Sequence, residues 1–358
     1  MITTCRAHLT RWWRWLPSMG LLGLVAMFAD ALPWGVLMTS LRAASPPAVA
    51  FAVFSTYLAV AARTLLFRRL LRDAGAGSIG LAARATVTAI ALNSVLVGQA
   101  GEAGRVLLVA RGSHLRTTQV LAMVVFEHAM ISTLYLLLII TAGVLLPMPE
   151  ALARWRLPAL IALMALGGVL ILVANVRGTG GAGKLGGSSG PLRRLRFASD
   201  AFLATLRRLA SGPQLTGALT LAAIHWGLQL AAFHATTTAL GYAIPPAATV
   251  IAFLAVTASS SVRITPGNVG VTQAVFAGAA GVYGVPMEEA VTIALLWQVV
   301  QTVPIVFAAL AFAPGSWAML RSPGRAPSGS QLRGARESPT SPASVASASS
   351  VYTATAES

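Results

Sequence analysis

Apolar residues along this chain neither alternate nor recur every third or fourth position; they run on in long blocks. Six blocks, Leu16 to Met38, Pro47 to Phe67, Thr118 to Leu146, Pro158 to Val176, Leu215 to Leu240 and Glu288 to Ala313, carry few charges. A helix needs ~20 such residues to cross ~30 Å of hydrocarbon. Two further blocks, Arg84 to Ala110 and Ala247 to Val285, are interrupted by polar, glycine-bearing runs. The short alternating segments of a membrane β-barrel do not occur. The pattern predicts an all-α polytopic membrane protein with about six full spans and two broken, re-entrant helical hairpins, eight apolar segments in all.

The interruptions are the informative part. Leu92 to Arg105 holds Gly98, Gly101 and Gly104 with one carboxylate, Glu102, and one guanidinium, Arg105. Ser260 to Gly270 holds Arg263, Thr265-Pro266-Gly267 and Gly270. Irregular backbone in hydrocarbon leaves N–H and C=O groups unpaired unless protein or water satisfies them, so such breaks belong where they are buried or line a cavity. Gly101 and Gly104 are echoed by Gly267 and Gly270, with Ser94-Val95 and Ser261-Val262 shortly before. Paired breaks in corresponding halves suit a transporter built from inverted repeats.

Composition sharpens the class. The chain has 358 residues, 56% hydrophobic and 10% charged, with mean hydropathy +0.74, far from the usual quarter of charged residues in soluble domains. The net charge of +16 does not indicate nucleic acid, because the arginines lie at the ends of apolar blocks rather than in one patch with aromatics. Their placement predicts a multi-pass protein of the cytoplasmic membrane with both termini inside and hairpins entering from opposite faces. Residues 1–15, with Arg6, Arg11, Arg14 and Trp12, Trp13 and Trp15, form a basic, aromatic anchor. An uncleaved first span follows rather than a cleaved signal. The transmembrane region covers 16–313, with a basic cytoplasmic loop at 177–214 whose front, Gly178 to Gly190, is a Gly/Ser linker. The rear of that loop suits either a helix on an anionic membrane surface or a solvated basic segment. Residues 314–358, rich in Ser, Pro and Ala, are expected to be a disordered cytoplasmic tail. The single cysteine, Cys5, excludes an internal disulfide.

Ionisable residues at membrane depth face the bundle interior and have partners. Glu102 and Arg105, three apart, share a helix face. They either form a polar site, with Arg105 meeting a phosphate, or simply pair to hold the hairpin. Glu127 sits mid-way in its span and either closes the same site or pairs with Arg105 or Arg263. Arg263 precedes a half-helix expected to start near Asn268, whose dipole would favour an anion. His225, Gln229, His234, Gln298 and Gln301 are expected to make interhelical hydrogen bonds rather than bind metal. No metal or cofactor motif, no Walker-type sequence and no nucleophile–base arrangement is present, so a non-enzymatic role is expected.

Gln99-Ala100-Gly101-Glu102-Ala103-Gly104-Arg105, followed by Val124-Val125-Phe126-Glu127, resembles a signature of the lysylphosphatidylglycerol synthase membrane-domain family, the flippase-like proteins. Thr265-Pro266-Gly267-Asn268-Val269-Gly270-Val271-Thr272-Gln273 resembles its second signature, and Tyr283-Gly284-Val285-Pro286 with Glu288-Glu289-Ala290 also fits. Gln99 and His128 stand where arginines are usual, Gln273 where glutamate is usual, and Ile131 where aspartate is common. The resemblance, over Leu16 to Ala313, implies movement of a phospholipid or lipid-linked glycan between leaflets. Fused members of that family add a soluble aminoacyl-transfer domain, which the short tail after Ala313 is expected to lack. The implied binding residues are Glu102, Arg105, Glu127 and Arg263, with Gly101, Gly104, Gly267 and Gly270 shaping the breaks. Two other roles remain open: a scaffold presenting lipid to a cytoplasmic transferase docked on the basic loop, and an intramembrane enzyme.

Overall fold

A computed structural model describes residues 34–95, 100–147, 150, 154, 156–175, 191–210, 212–261 and 265–321. The N-terminal anchor, most of the first span, Gly98, Gln99, the 178–190 linker, Arg263 and the chain beyond Arg321 lie outside the described residues. Within them the chain is all helical. The helices in order are α1 Trp34–Ala43, α2 Pro46–Arg72, α3 Ile79–Val95, α4 Ala100–Gly112, α5 Thr117–Leu145 and α6 Arg156–Asn175. They continue with α7 Pro191–Leu209, α8 Gly212–Ala239, α9 Pro246–Ser260, a 3-10 turn Pro266–Asn268, α10 Val271–Gly281 and α11 Met287–Arg321.

Among the described residues, four helices are long and apolar enough to cross a membrane, within α2, α5, α8 and α11. The two interrupted blocks become pairs of shorter helices packed on each other, α3 on α4 and α9 on α10. The expected half-helix start near Asn268 is corrected. Gly267, Asn268 and Gly270 all take positive φ, so the helix begins only at Val271, after a tight turn. The last helix also runs past the expected boundary at Ala313 to Arg321.

The most extensive packing is between α2 and α8. Small residues line it: Ala52 of α2 clusters with Ala235 and Ala239 of α8, and Gly217 of α8 lies against the Arg69 side chain of α2. In lipid, where apolar surface gains nothing by leaving water, close approach over small side chains is what holds helices together. Two cores stack along α5 and α8. One, with Phe67, Leu70, Phe126 and Met130, lies toward the arginine-rich ends of α2 and α4. The other is aromatic: Phe233 packs within 4.9–5.6 Å of Trp297, Phe253 and Phe276. The rear of the basic loop is helix α7, which lies on α5 and α6 and buries Leu206 and Leu209 in the first core.

Candidate functional site

Counting from the arginine-bearing ends, Arg63 lies nine residues before the end of α2 and Glu127 ten residues after the start of α5. At 1.5 Å per residue both are ~14 Å in from that end. Arg105 of α4 meets them there.

The local fold that brings α4 to this depth depends on one close approach. Gly101 sits so near α3 that a β-carbon would lie 2.1 Å from the Ala89 carbonyl oxygen and 2.6 Å from Asn93 Oδ1. Its backbone N–H donates to Asn93 Oδ1 at 2.8 Å, satisfying one of the amides left open at a helix start. Glu102 in the first turn of α4 gains from the helix dipole. Gly104, by contrast, has only an ordinary 3.4 Å contact with Leu92.

Four charges then interlock. Arg105 pairs with Glu127 at 2.6 Å, and Arg63 Nε donates to the other Glu127 oxygen at 2.7 Å. Arg63 also reaches Glu102 at 3.3 Å, and Arg105 reaches the same carboxylate at 3.5 Å. Arg105 donates to Thr86 Oγ1 at 3.2 Å, and its guanidinium carbon stacks 3.7 Å from the Phe67 ring centre. Arg105 and Glu127 are fully buried. Two guanidinium groups and two carboxylates balance, which is the condition under which charges at membrane depth are tolerated. His128 Nε2 approaches Glu102 to 3.6 Å from the outer side.

The structure therefore gathers Glu102, Arg105 and Glu127, with Gly101 beside them. The second break meets the first from behind: a β-carbon on Gly267 would lie 3.1 Å from the Ser94 carbonyl oxygen. That break is held by neutral amides. Gln298 donates to the Gly267 carbonyl and accepts from Gln273 Nε2 at 2.6 Å, while Gln273 Oε1 accepts from the Gly270 N–H at 2.7 Å. His225 contacts the Ala59 carbonyl at 2.9 Å, and Gln301 donates to Gln229 and Thr56 at 3.0 Å, so these side chains join helices as expected. A model of the lysylphosphatidylglycerol synthase TM region matches residues 13–309. The chain belongs to that family. A comparison with curated proteins finds none that matches.

For a member of the lysylphosphatidylglycerol synthase TM family, the residue that sequence reading missed is Arg63. By charge placement alone it groups with Arg68, Arg69 and Arg72 as the basic end of an apolar block. Those three are end residues: Arg68 binds the Gly77 carbonyl and Arg69 binds Gln214. Arg63 stands one and a half turns deeper, and that offset was the available signal. Asn93, Thr86 and Phe67 carry no charge that would mark them.

Proposed function

We propose that this family member translocates an anionic lipid, a phospholipid or a lipid-linked glycan, between leaflets of the cell membrane, with both termini on the cytoplasmic side. The observation that carries the reading is the buried Arg63–Glu102–Arg105–Glu127 cluster, reached by two broken helices. A structural pin would need one ion pair. Two arginines bridged by two carboxylates instead give a set of contacts in which a phosphate can take the place of a carboxylate, with each arginine still partnered. The second break supplies irregular backbone at Gly267, Asn268 and Gly270 that packs on Ser94 of the first hairpin, and repeat-built transporters place their sites at such broken helices. The glycines of the second break allow the chain to turn there, and the inverted topology inferred from charge would let each hairpin face one leaflet.

The test is leaflet exchange of fluorescent phosphatidylglycerol in phosphatidylcholine proteoliposomes, read by dithionite quenching. Wild-type protein is expected to exceed protein-free vesicles, and the charge-neutral double variant Arg63→Gln/Glu127→Gln is expected to lose the excess. Exchange no faster than in protein-free vesicles, or full exchange by the double variant, rules the reading out. The scaffold reading is favoured by one observation: α7 places Arg207 and Arg208 at its last turn, beside the basic ends of the bundle. If wild-type exchange is absent, capture of a cytoplasmic transferase that depends on Arg207 and Arg208 becomes the expected activity.

A further inference from the structure

The charges of the cluster do not share one environment. Arg105 has no exposed side-chain surface and is fixed by Thr86, Glu127 and the Phe67 ring. Arg63 is 16% exposed, Glu102 13% and His128 44%. Arg63 and His128 approach the same oxygen of Glu102, at 3.3 and 3.6 Å. We propose that this rim, Arg63 and His128 on either side of the Glu102 carboxylate, is the part of the site that receives a phosphate group, and that Arg105 is a fixed structural cation. The inference rests on the headgroup reading above and divides its residues into those that exchange partners and those that do not.

The histidine geometry supports the division. Nδ1 lies 2.9 Å from the Val124 carbonyl oxygen, which can only accept, so Nδ1 carries a proton. In the neutral ring Nε2 then presents a lone pair toward Glu102; in the imidazolium it presents an N–H. Two guanidiniums and two carboxylates cancel, so a phosphate that displaces Glu102 takes over contacts that a carboxylate already makes. A phosphate entering from the exposed side meets Arg63 and His128 first and displaces Glu102 from both. His128 faces Glu102 on α4 and adjoins Glu127 on its own helix, and Arg63 on α2 and Arg105 on α4 bind those two carboxylates.

The experiment is a titration of the purified full chain in neutral detergent with dihexanoyl phosphatidylglycerol, read as a tryptophan-monitored thermal shift. Parallel arms use dihexanoyl phosphatidylcholine and inorganic phosphate. Saturation by phosphatidylglycerol alone assigns the phosphate to a lipid; equal saturation by inorganic phosphate assigns it to a free anion, and either outcome supports the rim. Equal saturation by phosphatidylcholine, whose headgroup carries the same phosphodiester, also supports the rim and shows that a net negative headgroup is not required. Removing one charge-assisted contact by His128→Asn or Arg63→Gln is expected to raise the half-saturating concentration about tenfold. Glu102→Gln, which removes the competing carboxylate, is expected to lower it. Arg105→Lys should lower the unfolding temperature with little change in half-saturation. His128 is exposed enough that its variants fold, which keeps the test open if Arg63→Gln does not. Wild-type binding that ignores His128→Asn and Glu102→Gln overturns this inference alone. Absence of any wild-type shift takes the headgroup reading with it.

Discussion

The two broken hairpins solve one problem with different chemistry. Each must close a gap in a membrane helix without leaving backbone groups unpaired. The α3–α4 hairpin does so beside a network of full charges, with Asn93 capping Gly101 and Glu102 held by Arg63 and Arg105. The α9–α10 hairpin does so with amides, Gln273 and Gln298 tying down Gly270 and Gly267. A neutral amide network satisfies the backbone at low cost and has little reason to exchange partners. A charged network is expensive to break on one side yet adaptable to an incoming ion. On the proposed function, the contrast assigns the ligand to the first hairpin and a supporting role to the second.

The contrast can be broken at its strongest point first. Glu127→Ala strips both arginines of their shared partner, and loss of one side of a buried pair costs ~3–5 kcal/mol, so a large drop in thermal unfolding temperature is expected. Gly101→Ala forces a methyl against the Ala89 carbonyl; overpacking of this kind costs ~1–3 kcal/mol or more, measurable as lost monodisperse protein after extraction. Gln298→Leu leaves the Gly267 carbonyl and Gln273 unsatisfied, worth ~1–2 kcal/mol, and should slow exchange less than any change in the charged cluster. If Gln298→Leu proves as damaging to exchange as Glu127→Ala, the two hairpins share the ligand. Gly104→Ala is the smallest change: with only ordinary contact to Leu92, the substitution is expected to be neutral or to stabilise α4 by up to ~1 kcal/mol.

The hairpins were legible because glycine and charge inside an apolar run break two rules at once. Arg84 to Ala110 and Ala247 to Val285 correspond to helices at 79–112 and 246–281. Glu102, Arg105 and Glu127 were legible by the cost of an ionisable group at depth. Arg63 was not, because it preceded three arginines that do mark a helix end, and its bond to Glu127 joins positions 64 apart in the chain. A single sequence carries no term for such a pairing. The start of α10 lies beyond Asn268 for a local reason: left-handed backbone at Gly267, Asn268 and Gly270 defers the helix to Val271.

The separation of Arg63 from Glu127 also constrains how the protein is made. α2 leaves the ribosome well before α5, and an arginine near the centre of an inserting helix is disfavoured by ~2.5–3.5 kcal/mol on insertion scales. Until Thr117–Leu145 is synthesised, that arginine lacks the carboxylate it binds most closely. The first helices must therefore wait at the insertion machinery, or sit shallow, and be drawn into place when the later span arrives. Membrane integration of this chain is a cooperative event spanning α2 to α5 rather than a helix-by-helix process.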